Sequence, residues 1–160
     1  LLTTLPEQTK IVQALAPATD AAGRTGAYVS MKNAARCFVV VSITQGNAAP
    51  VPVTIEQATA VAGTGSKVIT NVVPIWADLD TSVTDDLVRA VNAVSYTTDA
   101  GVKNKVVVFQ IDGRSLDIAN GFDCIVVKTG ASNVANITSA IYVMTDLRFS
   151  QATPPSAIVD

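Results

Sequence analysis

Between Val51 and Glu56 the chain alternates, with Val51, Val53 and Ile55 on one side of an extended backbone and Pro52, Thr54 and Glu56 on the other. Successive side chains of a strand point to opposite faces, so this spacing predicts a half-buried β-strand. The same β-branched and aromatic residues recur in "AYVSM", "RCFVVVSIT", "KVITNVVPIW", "DLVRA", "AVSYTT", "KNKVVVFQI", "DCIVVKT" and "SAIYVMTDLRF", and Gly, Asn, Asp or Pro separates the runs. Such runs predict an all-β chain, a sandwich or a barrel, and the reading taken is an antiparallel β-sandwich, jelly-roll-like.

Two runs break the alternation. "CFVVVSI" and "KVVVFQI" are apolar on both faces, which fits central strands or strands whose outer face meets a partner. A thin sandwich with such strands points to a homo-oligomer; loops or the N-terminal segment lying over the second face is the competing account. Upstream, residues 1–24 carry Pro6, Pro17 and a small-residue run ending at Gly23. They read as an extended N-terminal arm with at most one helical turn near Glu7 to Leu15, or as a frayed terminus. The organisation expected is therefore an arm at 1–24, a sandwich at 25–150 and a C-terminal tail at 151–160. On that reading, removing residues 1–22 leaves the sandwich folded.

The break "KNAAR", with Lys32, Asn33 and Arg36, falls between two strand-like pieces and predicts a corner leading into a central strand. "DG" at Asp112 and "NG" at Asn120 mark turns that favour positive φ. "RSLDIA" between them has room for one helical turn capped by Ser115. "GTGS" at Gly63 to Ser66 lacks the GK[ST] ending of a phosphate loop and reads as a strand connection.

Composition changes the picture in two ways. Charged residues make up 15% of the 160 residues and hydrophobic ones 49%, against roughly 25% charged in an ordinary soluble domain, so part of the outer surface is expected to be covered. The net charge is -2, and the eleven basic residues are scattered, leaving no basic stripe for nucleic acid. Apolar runs fall far short of the roughly 20 residues that cross a bilayer, and "LLTTLPEQTK" has neither the basic region nor the apolar core of a signal peptide. The expectation is a chain that stays in the cytoplasm where it is made, with no membrane partner.

No histidine is present, which removes imidazole as a base and as a metal ligand. Among the acids, "DLDTSVTDD" is the densest stretch, holding Asp78, Asp80, Asp85 and Asp86 without the spacing of an EF-hand; it reads as a loop whose carboxylates cap turns. Trp76 is a core plug or an interface anchor. Cys37 and Cys124 are buried free thiols or a bridge. No catalytic, cofactor-binding or metal-binding set is expected, and the chain does not read as an enzyme.

Three stretches carry a resemblance: "LPEQTKIVQALAPATDAAGRTGAYVSMKNA", "TIEQATAVAGTGSK" and "SLDIANGFDCIVVKTGASNVANITSAIYVMTDLRF". From about Leu5 to Ala157 the chain resembles small virion proteins of tailed bacteriophages and prophages. The resemblance implies a head decoration or cement protein: a small β-sandwich, often a trimer or other small oligomer. Such a protein binds the outside of the head in many copies and clamps neighbouring subunits of the major capsid protein. No cofactor or catalytic residue comes with it.

Within that frame Lys32, Asn33 and Arg36 are candidate contacts to an acidic shell surface, or an edge kept charged against stray strand pairing. Pro6 and Pro17 are candidate contacts of a draping arm, since Pro restricts the unbound chain and lowers the entropy lost on docking. A tail or head-completion role is the alternative within the particle. A carbohydrate-binding β-sandwich calls for exposed aromatics, of which the chain has few, and a carboxylate hydrolase calls for Asp78 or Asp80 in catalysis.

Overall fold

The computed structural model describes residues 4–160, and among them twelve strands form two antiparallel sheets. In chain order the strands are β1 Lys10–Thr19, β2 Arg24–Thr25, β3 Val29–Ser30, β4 Ala34–Gln45, β5 Pro52–Ala58, β6 Lys67–Val68, β7 Ile75–Asp78, β8 Val88–Arg89, β9 Ser95–Thr97, β10 Asn104–Asp112, β11 Cys124–Thr129 and β12 Asn136–Leu147. Sheet A runs β1-β12-β4-β10-β7-β8 and sheet B runs β2-β11-β5-β6, with β3 beside β11 and β9 beside β5. From β4 onward the chain repeatedly crosses between the sheets, as in a jelly roll. The all-β sandwich expected from the alternation is the fold observed.

The inward residues follow the period of two. Cys37, Val39, Val41 and Ile43 of β4, Val107, Phe109 and Ile111 of β10, and Tyr142 and Met144 of β12 face Val53 and Ile55 of β5 and Ile125 and Val127 of β11. Tyr142 spans the gap between the sheets. Its hydroxyl donates to the Ala27 carbonyl and accepts from the Val127 amide, both at 2.8 Å. That amide lies where the neighbouring strand is interrupted between β2 and β3, so the phenol replaces a missing ladder bond. The interruption occurs at Gly26, where a Cβ would lie 2.8 Å from the carbonyl oxygens of both Ala14 and Val127. Only glycine lets β1 and β11 approach so closely.

Polar clusters close the sandwich at one end. Asp20, with no solvent exposure, accepts from Arg24 Nε at 2.9 Å, from Thr129 Oγ1 at 2.7 Å and from Thr138 Oγ1. Thr129 belongs to sheet B and Thr138 to sheet A, so one carboxylate ties the two sheets together. Arg24 also donates to the carbonyls of Ala16, which the register shift of β1 leaves without a strand partner, and Ala18. Nearby, Lys105 is buried on β10 and donates to Gln45 Oε1 at 2.9 Å and to Asp99.

Several expectations change here. The segment expected as an arm begins with a helical turn, Leu5–Gln8, with Pro6 near its start, and continues as β1, hydrogen-bonded to β12 from Lys10 to Thr19. Its backbone is extended, but from Lys10 onward it is an edge strand of the sandwich, and Asp20 is part of the inter-sheet tie. Removing residues 1–22 therefore takes away a strand and the tie, and is expected to unfold or strongly destabilise the sandwich.

"KVITNVVPIW" divides into β6 in sheet B and β7 in sheet A, because Pro74 cannot donate to a ladder and the chain crosses between sheets before it. "RSLDIA" forms parts of two 3₁₀ turns, Gly113–Ser115 and Ile118–Asn120; the first is capped by Asp112, not Ser115. Positive φ occurs at Gly121 but not at Gly113. The C-terminal residues pack back as well: the Ala157 carbonyl accepts from Ser30 N at 2.7 Å, and its side chain is buried.

Two substitutions probe these ties. Replacing Asp20 by Ala leaves Arg24 and two threonines without their acceptor and is expected to cost about 3 kcal/mol in chemical denaturation. Tyr142→Phe strands the Val127 amide and is expected to cost about 2 kcal/mol by the same measurement.

Candidate docking surface

The two outer faces of the sandwich differ in chemistry. On sheet B, Cys124 and Val126 point outward yet are fully buried. Around them Tyr28 donates to Ser66 at 3.0 Å, Ser66 donates to Glu56 at 3.1 Å, and Lys128 pairs with Glu56 at 2.9 Å. This face is sealed by a polar network.

Sheet A presents the other face, and its register arranges the outward side chains in rows across the strands. One row runs Ile11, Val143, Phe38 and Gln110; the next runs Gln13, Ile141, Val40, Val108, Trp76 and Arg89. Ser139, Ser42 and Val106 follow, then Ile137, Thr44 and Asn104. Ile11, Ile137 and Ile141 are 46%, 41% and 40% exposed. The doubly apolar strands of the sequence, β4 and β10, lie at the centre of this face, and β1 flanks it without crossing over it. Trp76 lies on this face, half-buried, with the Arg89 guanidinium 4.8 Å from its ring centroid. It is neither a core plug nor a fully free aromatic.

The face ends in a charged row of Thr145, Arg36 and Asp112. Arg36 lies 3.7 Å from Asp146, which adopts a left-handed backbone at φ 54 between the pairs Thr145–Arg36 and Leu147–Ala34. Asp112 also holds Arg114 at 3.1 Å. The charged residues picked out in the sequence meet at this end but not in one role. Lys32 and Asn33 form the corner before β4, where Lys32 lies 3.8 Å from Asp123 and the Asn33 carbonyl accepts from Arg148 N. Arg36 sits inside β4 and faces outward. A depression of about 500 Å³ lies between Lys32, Arg36, Asp112, Arg114 and Asp123. Pro6 lies at the same end, beside Lys10 and Pro154, whereas Pro17 is in the irregular stretch near the far end of β1, exposed on an edge strand that tolerates it.

No family model and no curated protein matches the chain. Solved structures are similar to it, and two of them illustrate the likeness. The SPBc2 prophage-derived protein YomS matches with a TM-score of 0.48 and 9% identity, covering 89% of this chain and 98% of that one. A structure described as "CBM4 structure and function" matches with a TM-score of 0.30 and 11% identity, covering 89% of this chain and 70% of that one.

The acidic loop uses its carboxylates on its own backbone. Asp78 accepts from Asp80 N at 3.0 Å, Asp80 accepts from Ser82, and Asp80 pairs with Lys103 at 3.2 Å. Both cysteines are buried and free, Cys37 facing the core and Cys124 on the sealed face of sheet B. Burial raises the Cys37 thiol far above its ordinary value and pushes Cys124 up to about 12. Sequence reading missed the exposed isoleucines of β1 and β12, although "AIYVM" is apolar on both faces just as "CFVVVSI" is.

The thiols give one prediction: both stay unreactive toward a disulfide reagent at pH 8 in the folded chain, and both react once it is unfolded in guanidinium. A second concerns acid. Hydrogen bonds from Ser82, Lys105, Arg114 and Lys67 hold Asp80, Asp99, Asp112 and Asp117 below the usual carboxylate range. A depressed folded value means stability present above the unfolded value, about 4, and lost as pH falls through the folded one. Denaturation across pH 2 to 6 is expected to show that loss, and Asp99→Asn to flatten it.

Proposed function

We propose that the chain is a structural component of a tailed-bacteriophage particle, a decoration protein that sits on the outside of the head and braces neighbouring subunits of the major capsid protein. The observation that carries this reading is the outer face of sheet A, a broad apolar surface with its charges confined to one end and one edge. Large exposed apolar surfaces on a folded domain mark sites of association. A building block made in the host cytoplasm and consumed by assembly has such a surface and needs no catalytic group.

The resemblance of "TIEQATAVAGTGSK" and the flanking stretches to virion proteins points the same way. Strong attachment does not require one strong site, because an oligomer that contacts several shell subunits gains through effective concentration. The charged corner with Lys32 and Asn33 supplies polar contacts to the shell, and the outer face of sheet A, with Arg36 at its end, supplies contacts between copies. A glycan-binding role needs a free aromatic platform, and the aromatic ring best placed for one, Trp76, already has Arg89 over it.

The test is the copy number of this 16.6 kDa chain in purified particles, measured by quantitative mass spectrometry against the major shell protein. Hundreds of copies in simple ratio to the shell are expected. A handful per particle moves the chain to the tail or to head completion, and absence from particles overturns the reading.

A further inference from the structure

Sheet A has its midline between β4 and β10, with three strands on each side. Arg36 and Asp112 stand directly across that midline from one another, and so do Val40 and Val108. Ile141 and Trp76 occupy the same row one strand further out on either side. The face is therefore nearly balanced about its own centre, with unlike charges in mirrored positions at one end.

We infer that two copies of this chain stack through the outer face of sheet A, related by a two-fold axis running along the strands at the midline. The axis sets β4 of each copy over β10 of the other and β12 over β7. Arg36 of one copy then meets Asp112 of the other, and the second Arg36–Asp112 contact is its symmetry mate. Val40 meets Val108, and Ile141 meets Trp76. This is an isologous contact, in which one patch complements itself.

Size is compatible with a second copy as the occupant. The four long strands β1, β12, β4 and β10 at about 4.8 Å spacing, and eight residues of β4 at about 3.3 Å each, give a patch of roughly 14 by 27 Å, which four residues of β7 and two of β8 widen at one side. That is on the order of 450 Å² per copy, the size of a weak, reversible interface, for which a dilution series is the fitting test. Composition supports it. Between the Arg36 row and the Ile137 row, no charged side chain points outward from β12, β4 or β10. Such a surface offers little charge by which to select an unlike partner; its Arg36–Asp112 row is complemented by its own copy, and Arg89 at the β8 edge lies opposite Gln13 of the other copy. The oligomer is thus two-fold, in place of the trimer favoured by the resemblance.

Sedimentation of the purified chain over a dilution series tests the inference with no phage particle present, so its failure and that of the virion reading are separate results. The chain is expected to sediment at twice 16.6 kDa. Val40→Arg is expected to give monomers with an unchanged circular dichroism spectrum. Arg36→Asp and Asp112→Arg each place like charges together twice and are expected to weaken self-association about tenfold or more. Mixed in equal amounts, these two variants regain unlike charges at both contacts and are expected to form a heterodimer. That rescue does not follow from a folding defect in either variant. A monomer or trimer at all concentrations, a dimer unaffected by Val40→Arg, or a mixture that fails to recover would each overturn the two-fold stack. A face that stays monomeric in solution and is covered only on shells would assign it to a shell partner instead.

Discussion

One carboxylate joins what the chain brings together last. Asp20 follows the first strand, yet its partners Thr129 and Thr138 come from strands near the end of the sequence, one in each sheet. Placed without exposure to water, it needs every one of these donors, because an ionised group out of solvent is tolerated only when it is paired and hydrogen-bonded. The same cluster lets Arg24 reach the Ala16 carbonyl that the register shift of β1 leaves open. β1 is thereby held as an edge strand, and sheet A reaches its full width. The broad outer face depends on that width.

At that edge the two sheets come into near contact through Gly26 and the Tyr142 hydroxyl, a second tie made of short-range geometry and not of charge. The consequence is a sandwich closed along one side by polar and backbone contacts, with an apolar core between its sheets. Its stability does not draw on the outer face of sheet A, where Ile11, Ile141 and their neighbours remain open to water.

The contrast between the two outer faces follows from chemistry that is local to each. Sheet B covers its outward Cys124 and Val126 with Tyr28 and an ion pair, so its exposed layer is saturated with its own partners. Sheet A has no comparable layer over β4 and β10. Leaving a surface of this kind in water costs free energy roughly in proportion to its apolar area, and packing against another sheet relieves that cost.

The strand content was legible because a period of two in β-branched residues is a local signal, as in Val51, Val53 and Ile55. So was the corner at Lys32 and Asn33, where polar residues interrupt an apolar pattern. The double apolarity of "CFVVVSI" correctly indicated a central strand, and it left open what lies over the outer face. What the chain could not declare was partnership. Residues 10–19 look like an arm because their pattern is weak, and only the ladder to β12 makes them a strand. Asp20 looked unremarkable, as its role exists only where Thr129 and Thr138 converge. Arg36 and Asp112 lie 76 residues apart in sequence and become neighbours through the register of β4 and β10. Local propensity and alternation are written residue by residue, so most of the strands, the sandwich class and the inward faces were readable from the order of residues, whereas β1 was not. Register, sheet order and the clustering of charge depend on contacts distant along the chain, and these the tertiary structure alone decided.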